Sequence, residues 1–276
     1  QAEKGSLTGQ AKVKLPNEKQ QLAWQAQLQA QNFNPQTVVA TAPVNLLNGQ
    51  IKATGFAKPN QQIIQFDQID LKGQLAQAGK TETVALKGKS TAALIFHEQK
   101  TGGGFKSYAV DYDGALNALG HGDGRLKINV AGTPEYIKIN ELKHDGVAGK
   151  VYATGTLNLK NQLGWDVDAS LVRFKPQYFV YNLKGELSGR VKSQGVWSDK
   201  LKRIDIRQLN VAGFLNNHPL RGRGNLSVLL DSTQKGFLPQ QFEANNLFLA
   251  YAQNQVQASG NAQNLRLNIH APALYT

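Results

Sequence analysis

Four residues of metal-ligating type stand near one another in this chain: Asp111, Asp113, His121 and Asp123. Carboxylates and an imidazole set among glycines are the raw material of a calcium or transition-metal loop. Turn chemistry accounts for the same residues more simply, because Asp and Gly favour tight backbone. No metal is therefore expected. His97, His144, His218 and His270 are far apart in sequence and suggest nothing together, and His218-Pro219 reads as a hairpin turn. No Ser occupies a nucleophile elbow, and no close carboxylate pair marks a cleft. Gly102-Gly103-Gly104 lacks the Lys-Ser/Thr of a phosphate loop and reads as a hairpin tip. With no cysteine there is no thiol nucleophile, disulfide or thiolate zinc site. The expectation is a protein that is not an enzyme and holds no cofactor.

Arg221-Gly222-Arg223-Gly224 has the composition of an RNA-contacting segment. The alternation that follows, Leu226, Val228 and Leu230, instead places both arginines on the outward face of a strand, so no nucleic acid is expected. Between residues 184 and 223 there are nine basic residues against three acidic, and the chain carries +12. Such a field favours anionic partners. Arg203, Arg207, Arg221 and Arg223 are candidates for a basic rim that meets anionic headgroups. A plainly solvated exterior is the other reading.

The elements that would carry these residues are strands. Trp24, Ala26, Leu28 and Ala30 alternate with Gln25, Gln27, Gln29 and Gln31, and the period of two recurs along the chain. No segment reads as a helix, so the chain is expected to be all-β. Hydrophobic residues make up 41% of its 276 residues, and 28 Gln and 22 Asn supply the wet side of the strands. Amides satisfy neighbours across a sheet without like-charge repulsion. No run of 18 apolar residues and no apolar signal core occur. The chain contains no Met, which suggests a processed protein or a segment of a longer one.

An internal repeat organises the strands. Trp24 to Pro35 matches Trp165 to Pro176, each ending in Phe-x-Pro. Gly49 and Gly55 match Gly189 and Gly195, and Ile64 to Leu75 matches Ile204 to Leu215. The expected units are 1–145, with an insertion near 90–125, and 146–276. Within the repeat the apolar parity slips by one at Asp67-Gln68 and again at Arg207-Gln208. Ile137-x-Ile139-x-x-Leu142 shows the same slip. Either a bulge absorbs it and bends a long strand, or a tight turn joins two short ones.

Trp165-Asp166-Val167-Asp168-Ala169-Ser170-Leu171, Phe174-x-Pro176, Leu183-x-Gly185-x-Leu187-Ser188-Gly189 and Leu209-Asn210-Val211-x-Gly213-x-Leu215 resemble the TamB family of the AsmA-like group. So does the closing Ala258-Ser259-Gly260 to Leu274. The resemblance implies an elongated, curved, antiparallel-rich sheet forming an open groove (a β-taco) with an apolar interior. It implies periplasmic residence in a Gram-negative bacterium and carriage of phospholipid between inner and outer membranes, in support of outer-membrane biogenesis. The inner-membrane anchor and the region meeting the outer-membrane partner TamA would lie outside this segment.

Bound phospholipid is then the expected ligand. Ile64, Phe66, Ile69 and Leu71 are candidate groove-lining residues, with Leu126, Ile128 and Val130, and Ile137, Ile139 and Leu142. The second unit adds Val167 and Leu171, then Ile204, Ile206, Leu209 and Val211, then Leu226, Val228 and Leu230. Leu247, Leu249 and Tyr251, and finally Leu265, Leu267 and Ile269, complete the set. About 20 strands spaced roughly 4.8 Å apart would form the groove. A scaffold offering strand edges to outer-membrane proteins or autotransporters is the alternative. An outer-membrane barrel is disfavoured, because the aromatics lack girdle spacing.

Overall fold

The computed structural model describes residues 5–16, 21–38, 40, 42, 44–77, 80–97, 104–117, 123–178, 183–231 and 239–272. Among them the chain is all-β, an antiparallel sheet of sixteen strands whose spatial order is chain order. The sheet is not closed: β1 pairs only with β2 at one end, and β16 only with β15 at the other.

Two compact units divide the chain: residues 1–134 with 143–147, and residues 135–142 with 148–276. The first unit holds β1 (Ser6–Lys14), β2 (Leu22–Phe33), β3 (Val44–Lys58), β4 (Gln61–Gln77), β5 (Lys80–Phe96), β6 (Phe105–Asn117) and β7 (Asp123–Thr133). β8 (Tyr136–Gly146) contributes residues to both units. The second unit holds β9 (Gly149–Asn158), β10 (Leu163–Phe174), β11 (Gly185–Trp197), β12 (Leu201–Leu215), β13 (His218–Asp231), β14 (Gln241–Tyr251), β15 (Asn254–Asn261) and β16 (Leu265–His270).

Sixteen strands are fewer than the roughly twenty expected, because β4 and β5 reach 17 residues each. Glycines such as Gly49, Gly55 and Gly73 lie inside strands instead of between them. The parity slips are bulges within unbroken strands. Phe66 and Ile69 occupy successive rungs against β5, and Ile206 and Leu209 do so against β13. Each bulge inserts a residue and returns the apolar side chains to one face. The tight-turn reading is thereby excluded at both places.

His218-Pro219 is not the hairpin turn. Asn216 and Asn217 form it, with φ of 47° and 65°. That left-handed pair suits the twist of a two-residue hairpin, so His218 and Pro219 become the first rungs of β13, opposite Leu215 and Phe214.

Within each unit the sheet is a single layer. Its buried hydrophobic residues are mostly alanines, with Tyr112, Val211 and Leu247. Among the described residues no large side chain is fully buried. Ladder hydrogen bonds and cross-strand pairs, rather than a sealed core, hold such a structure together.

Candidate functional site

Antiparallel partners share a face, so the registers reveal which side chains sit together. In the second unit one rung runs Val151, Leu171, Gly189, Val211, Gly222, Leu249, Val256, Ile269 from β9 to β16. Another runs Gly155, Val167, Ser193, Ile206, Leu226, Ala244, Gly260, Leu265. In the first unit one such rung runs Gly9, Leu28, Ile51, Ile69, Gly88, Gly114, Leu126. Each unit therefore presents one apolar face across all its paired strands. The residues between these rungs, on the opposite face, are mostly polar or charged, with Tyr152 and Phe248 among them.

The structure brings most of the candidate lining residues onto this face. Ile64, Phe66, Ile69, Leu71, Leu126, Ile128 and Val130 share it in the first unit. In the second, Val167, Leu171, Ile204, Ile206, Leu209, Val211, Leu226, Val228 and Leu230 share it with Leu247, Leu249, Tyr251, Leu265, Leu267 and Ile269. Ile137, Ile139 and Leu142 lie on β8, half-buried, with exposed Lys138 and Asn140 between them. Several face residues carry no clear sequence signal. Leu86, Val110 and Leu116 in β5 and β6 are separated by glycines and polar residues. Leu220 and Val256 alternate with Gly222, Gly224, Ala258 and Gly260, and a count of large apolar residues passes over that pattern.

The face is wettable and open. Leu249, Leu267 and Ile269 are 40%, 52% and 58% exposed. A trough of about 360 Å³ is lined by Leu209, Val211, Leu220, Leu249, Tyr251 and Val256, among others. Elsewhere on the apolar face of each unit, large rings lie against glycines. A Cβ built on Gly55 would meet the Trp24 indole at 2.3 Å, and one on Gly195 would meet Trp165 at the same distance. Tyr112 covers Gly88 and Gly114, and its hydroxyl proton is shared between the carbonyl oxygens of Lys87 (2.9 Å) and Ala115 (3.2 Å). Burial, and then the Asp113 carboxylate, push that phenol up to about 12. His144 is buried with its ring over Gly124, and burial draws its pKa down against the opposing pull of Asp145.

The polar face is laced with charge. Asp168 accepts from Arg190 at 2.6 and 2.8 Å and pairs with Lys192 at 3.2 Å. Asp205, also on this face, is buried and accepts from Arg203 Nε (2.8 Å), Gln194 Nε2 (3.2 Å) and the Ser227 hydroxyl. Burial acts to raise the Asp205 carboxyl, but the hydrogen bonds together with Arg203 hold it below the ordinary range. Of the four candidate rim arginines, Arg203 thus binds Asp205, and Arg207 binds Asp166. Arg223 lies over the Phe248 ring, 5.2 Å from its centroid, while Arg221 projects from the same face.

Asp111 and Asp113 also belong to cross-strand pairs. Asp111 accepts from Asn129 (2.9 Å), and Asp113 from Arg125 Nη2 (3.1 Å). The Arg125 hydrogen bond holds the Asp113 carboxyl below its usual range. His121 lies outside the described residues, as do Gly102, Gly103 and the side chain of Asp123. Among the described residues no three His, Cys, Asp or Glu side chains gather as metal ligands.

An open antiparallel sheet whose two units each carry an apolar face and a polar face defines a scaffold that offers an extended apolar surface along its strands. The family model for the TamB N-terminal domain matches residues 84–276. The chain belongs to the TamB family. It is 26% identical over 153 residues to the translocation and assembly module subunit TamB of Haemophilus influenzae. That match covers 54% of this chain and 11% of the relative, so the chain spans about a tenth of the relative's length. No solved structure matches the chain.

Proposed function

We propose that this chain is a stretch of a periplasm-spanning conduit. It carries phospholipid acyl chains along its apolar face between the inner and outer membranes and supports outer-membrane biogenesis. The observation that carries the reading is the apolar face of each unit, kept on one side of the sheet through each bulge. Each CH₂ held out of water is worth about 0.8 kcal/mol. A path with few polar interruptions lets a tail slide with no large rise in energy at any step. Alanine, glycine and aliphatic side chains provide few polar anchors that would trap it. The open side leaves the headgroup in water. Contacts with TamA and with the inner membrane belong, in this reading, to regions outside the chain.

Photo-crosslinking in cells tests the proposal. Probes at Leu71, Val211 and Leu249 should capture phospholipid, and probes at Lys72 and Asn210, one residue away on the polar face, should not. That the Haemophilus influenzae relative is a translocation and assembly module subunit favours a second reading, in which the face holds unfolded outer-membrane protein. If the three apolar positions capture only protein, that scaffold reading replaces the conduit.

A further inference from the structure

The five arginines Arg125, Arg173, Arg190, Arg203 and Arg207 each meet a carboxylate on the polar face. Arg221, Arg223 and Arg266 differ. Among the described residues none of the three forms an ion pair, and Arg223 and Arg266 line one cleft of about 700 Å³ on the polar face of β13 to β16. The register explains why they converge. Arg223, Phe248, Gln257 and Asn268 form a single rung across four strands. Arg266 stands on the adjacent polar rung, opposite Ser259.

Three strand spacings separate β13 from β16, about 14 Å, which two arginine side chains can span from opposite sides. Arg223 leans that way, since its guanidinium lies over the Phe248 ring of the next strand. A guanidinium stacked on an aromatic ring keeps its edge N–H groups available, and their planar fork matches a phosphate bidentately. Asn225, Asn245, Gln257 and Asn268 surround the two cations with amide donors and acceptors. No carboxylate lines the cleft. Glu243, on the same face of β14, lines the neighbouring clefts instead.

We infer that this cleft is a phosphate-binding site. It recognises a phosphate ester on a hydroxyl-bearing group, such as the glycerophosphate portion of a lipid headgroup or a soluble phosphate ester. Two unneutralised arginines with an aromatic platform supply the anion recognition, and the amides suit hydroxyls. A cleft of this size holds more than a bare phosphate. The site lies on the face opposite the apolar trough and does not rest on the conduit reading, so either can fail alone.

Calorimetric titration of the full chain with glycerol 1-phosphate tests the inference. Saturable binding is expected, weakened at least tenfold by Arg223→Gln with Arg266→Gln. Arg190→Gln removes an arginine of the same face that already has a carboxylate, so it should leave the affinity unchanged. Arg266→Gln alone, on the exposed β16, should weaken binding without altering the circular dichroism spectrum, which guards against misfolding of the double variant. Absence of saturable binding, or equal loss in Arg190→Gln, would overturn the site in favour of diffuse charge. Vesicle flotation separates the sources. Retention on phosphatidylglycerol but not phosphatidylcholine vesicles, lost in the double variant, assigns a lipid headgroup. Binding of glycerol 1-phosphate without vesicle retention assigns a soluble ester.

Discussion

The two copies of the repeat agree on one face and diverge on the other. Trp24 covers Gly55 as Trp165 covers Gly195. Gly49 and Gly189 share a left-handed φ, 123° and 142°. Asn32 and Arg173 both take positive φ one residue before the Phe-x-Pro, and a 3-10 turn follows in each, Pro35–Thr37 and Pro176–Tyr178. On the polar face the correspondence dissolves. Gln25 and Gln27 stand where Asp166 and Asp168 stand in the second copy, and Gln65 stands where Asp205 does. Sixteen of the 28 glutamines precede residue 78. The apolar face must keep its shape from strand to strand, whereas the polar face needs only to satisfy its rung neighbours. Amides and ion pairs both do that, with different costs of removal and different sensitivity to acid.

The shared features should be the most costly to alter, and equally so in both copies. A Cβ on Gly49 would fall 2.0 Å from the Asp70 carbonyl oxygen, and one on Gly189 would fall 1.9 Å from that of Asn210. Backbone cannot yield as a side chain can, and Ala also resists this φ. Gly49→Ala and Gly189→Ala should each lose roughly 2–4 kcal/mol, read as lower midpoints in urea unfolding. A loss in one copy only would mean that the copies do not share this approach of strands.

The polar face should show the opposite pattern, a loss confined to the second copy. Asp205→Ala leaves the Arg203 guanidinium, the Gln194 amide and the Ser227 hydroxyl without their buried acceptor. The expected cost is roughly 2–3 kcal/mol, in the range of hydrogen bonds to charge. Gln65, its exposed counterpart, donates to Asp67 within its own strand (2.7 Å). Gln65→Ala should stay within about 0.5 kcal/mol. Equal losses by urea unfolding would refute a hub role for Asp205.

A finer contrast lies beneath the indoles. Trp165 Nε1 donates to the Ser193 hydroxyl at 3.1 Å, whereas Ala53 occupies the matching position in the first copy. Trp165→Phe should therefore cost about 1 kcal/mol more than Trp24→Phe. Ser193→Ala in the Trp165→Phe background should then add little, which a double-mutant cycle measures.

The sequence carried the strands, the repeat and the bulges because each leaves a mark on apolar parity. Ile206 to Leu209 needs an extra residue to keep both inward, and the structure places it there. Glycine hides from the same reading. Gly88, Gly114, Gly222 and Gly224 are apolar-face residues whose place emerges only from the partner across the rung, so β5, β6 and part of β13 look weaker in sequence than they are in the sheet. Charge was legible as a total but not as an arrangement. Arg203 and Arg207 are neutralised by Asp205 and by Asp166, the latter 41 residues distant in the chain. Arg266 lies outside the basic stretch and reaches the Arg223 cleft only through the register of β15 with β16.

The smallest expected difference is acid sensitivity. The Arg190 hydrogen bond, opposed by burial and aided by Lys192, holds the Asp168 carboxyl down at about 2, against an unperturbed 3.8. A carboxyl whose folded pKa lies below its unfolded value binds fewer protons when folded, so its stabilisation is fully present above the unfolded pKa. That stabilisation fades as the pH falls from about 4 to about 2. Gln27 occupies the equivalent site and does not titrate. Because Arg190 is 48% exposed, solvent screens the pair, and the effect should be under about 1 kcal/mol. Asp168→Asn should flatten the fall in urea midpoint across that window, while Gln27→Asn should leave it unchanged. Arg190→Gln should move the Asp168 carboxyl resonance toward an ordinary titration by NMR, with Lys192 still holding it partly down. If the carboxyl titrates near 4 in the unaltered chain, the ion pair is an exposed contact without energetic weight, and the two polar faces differ in composition alone.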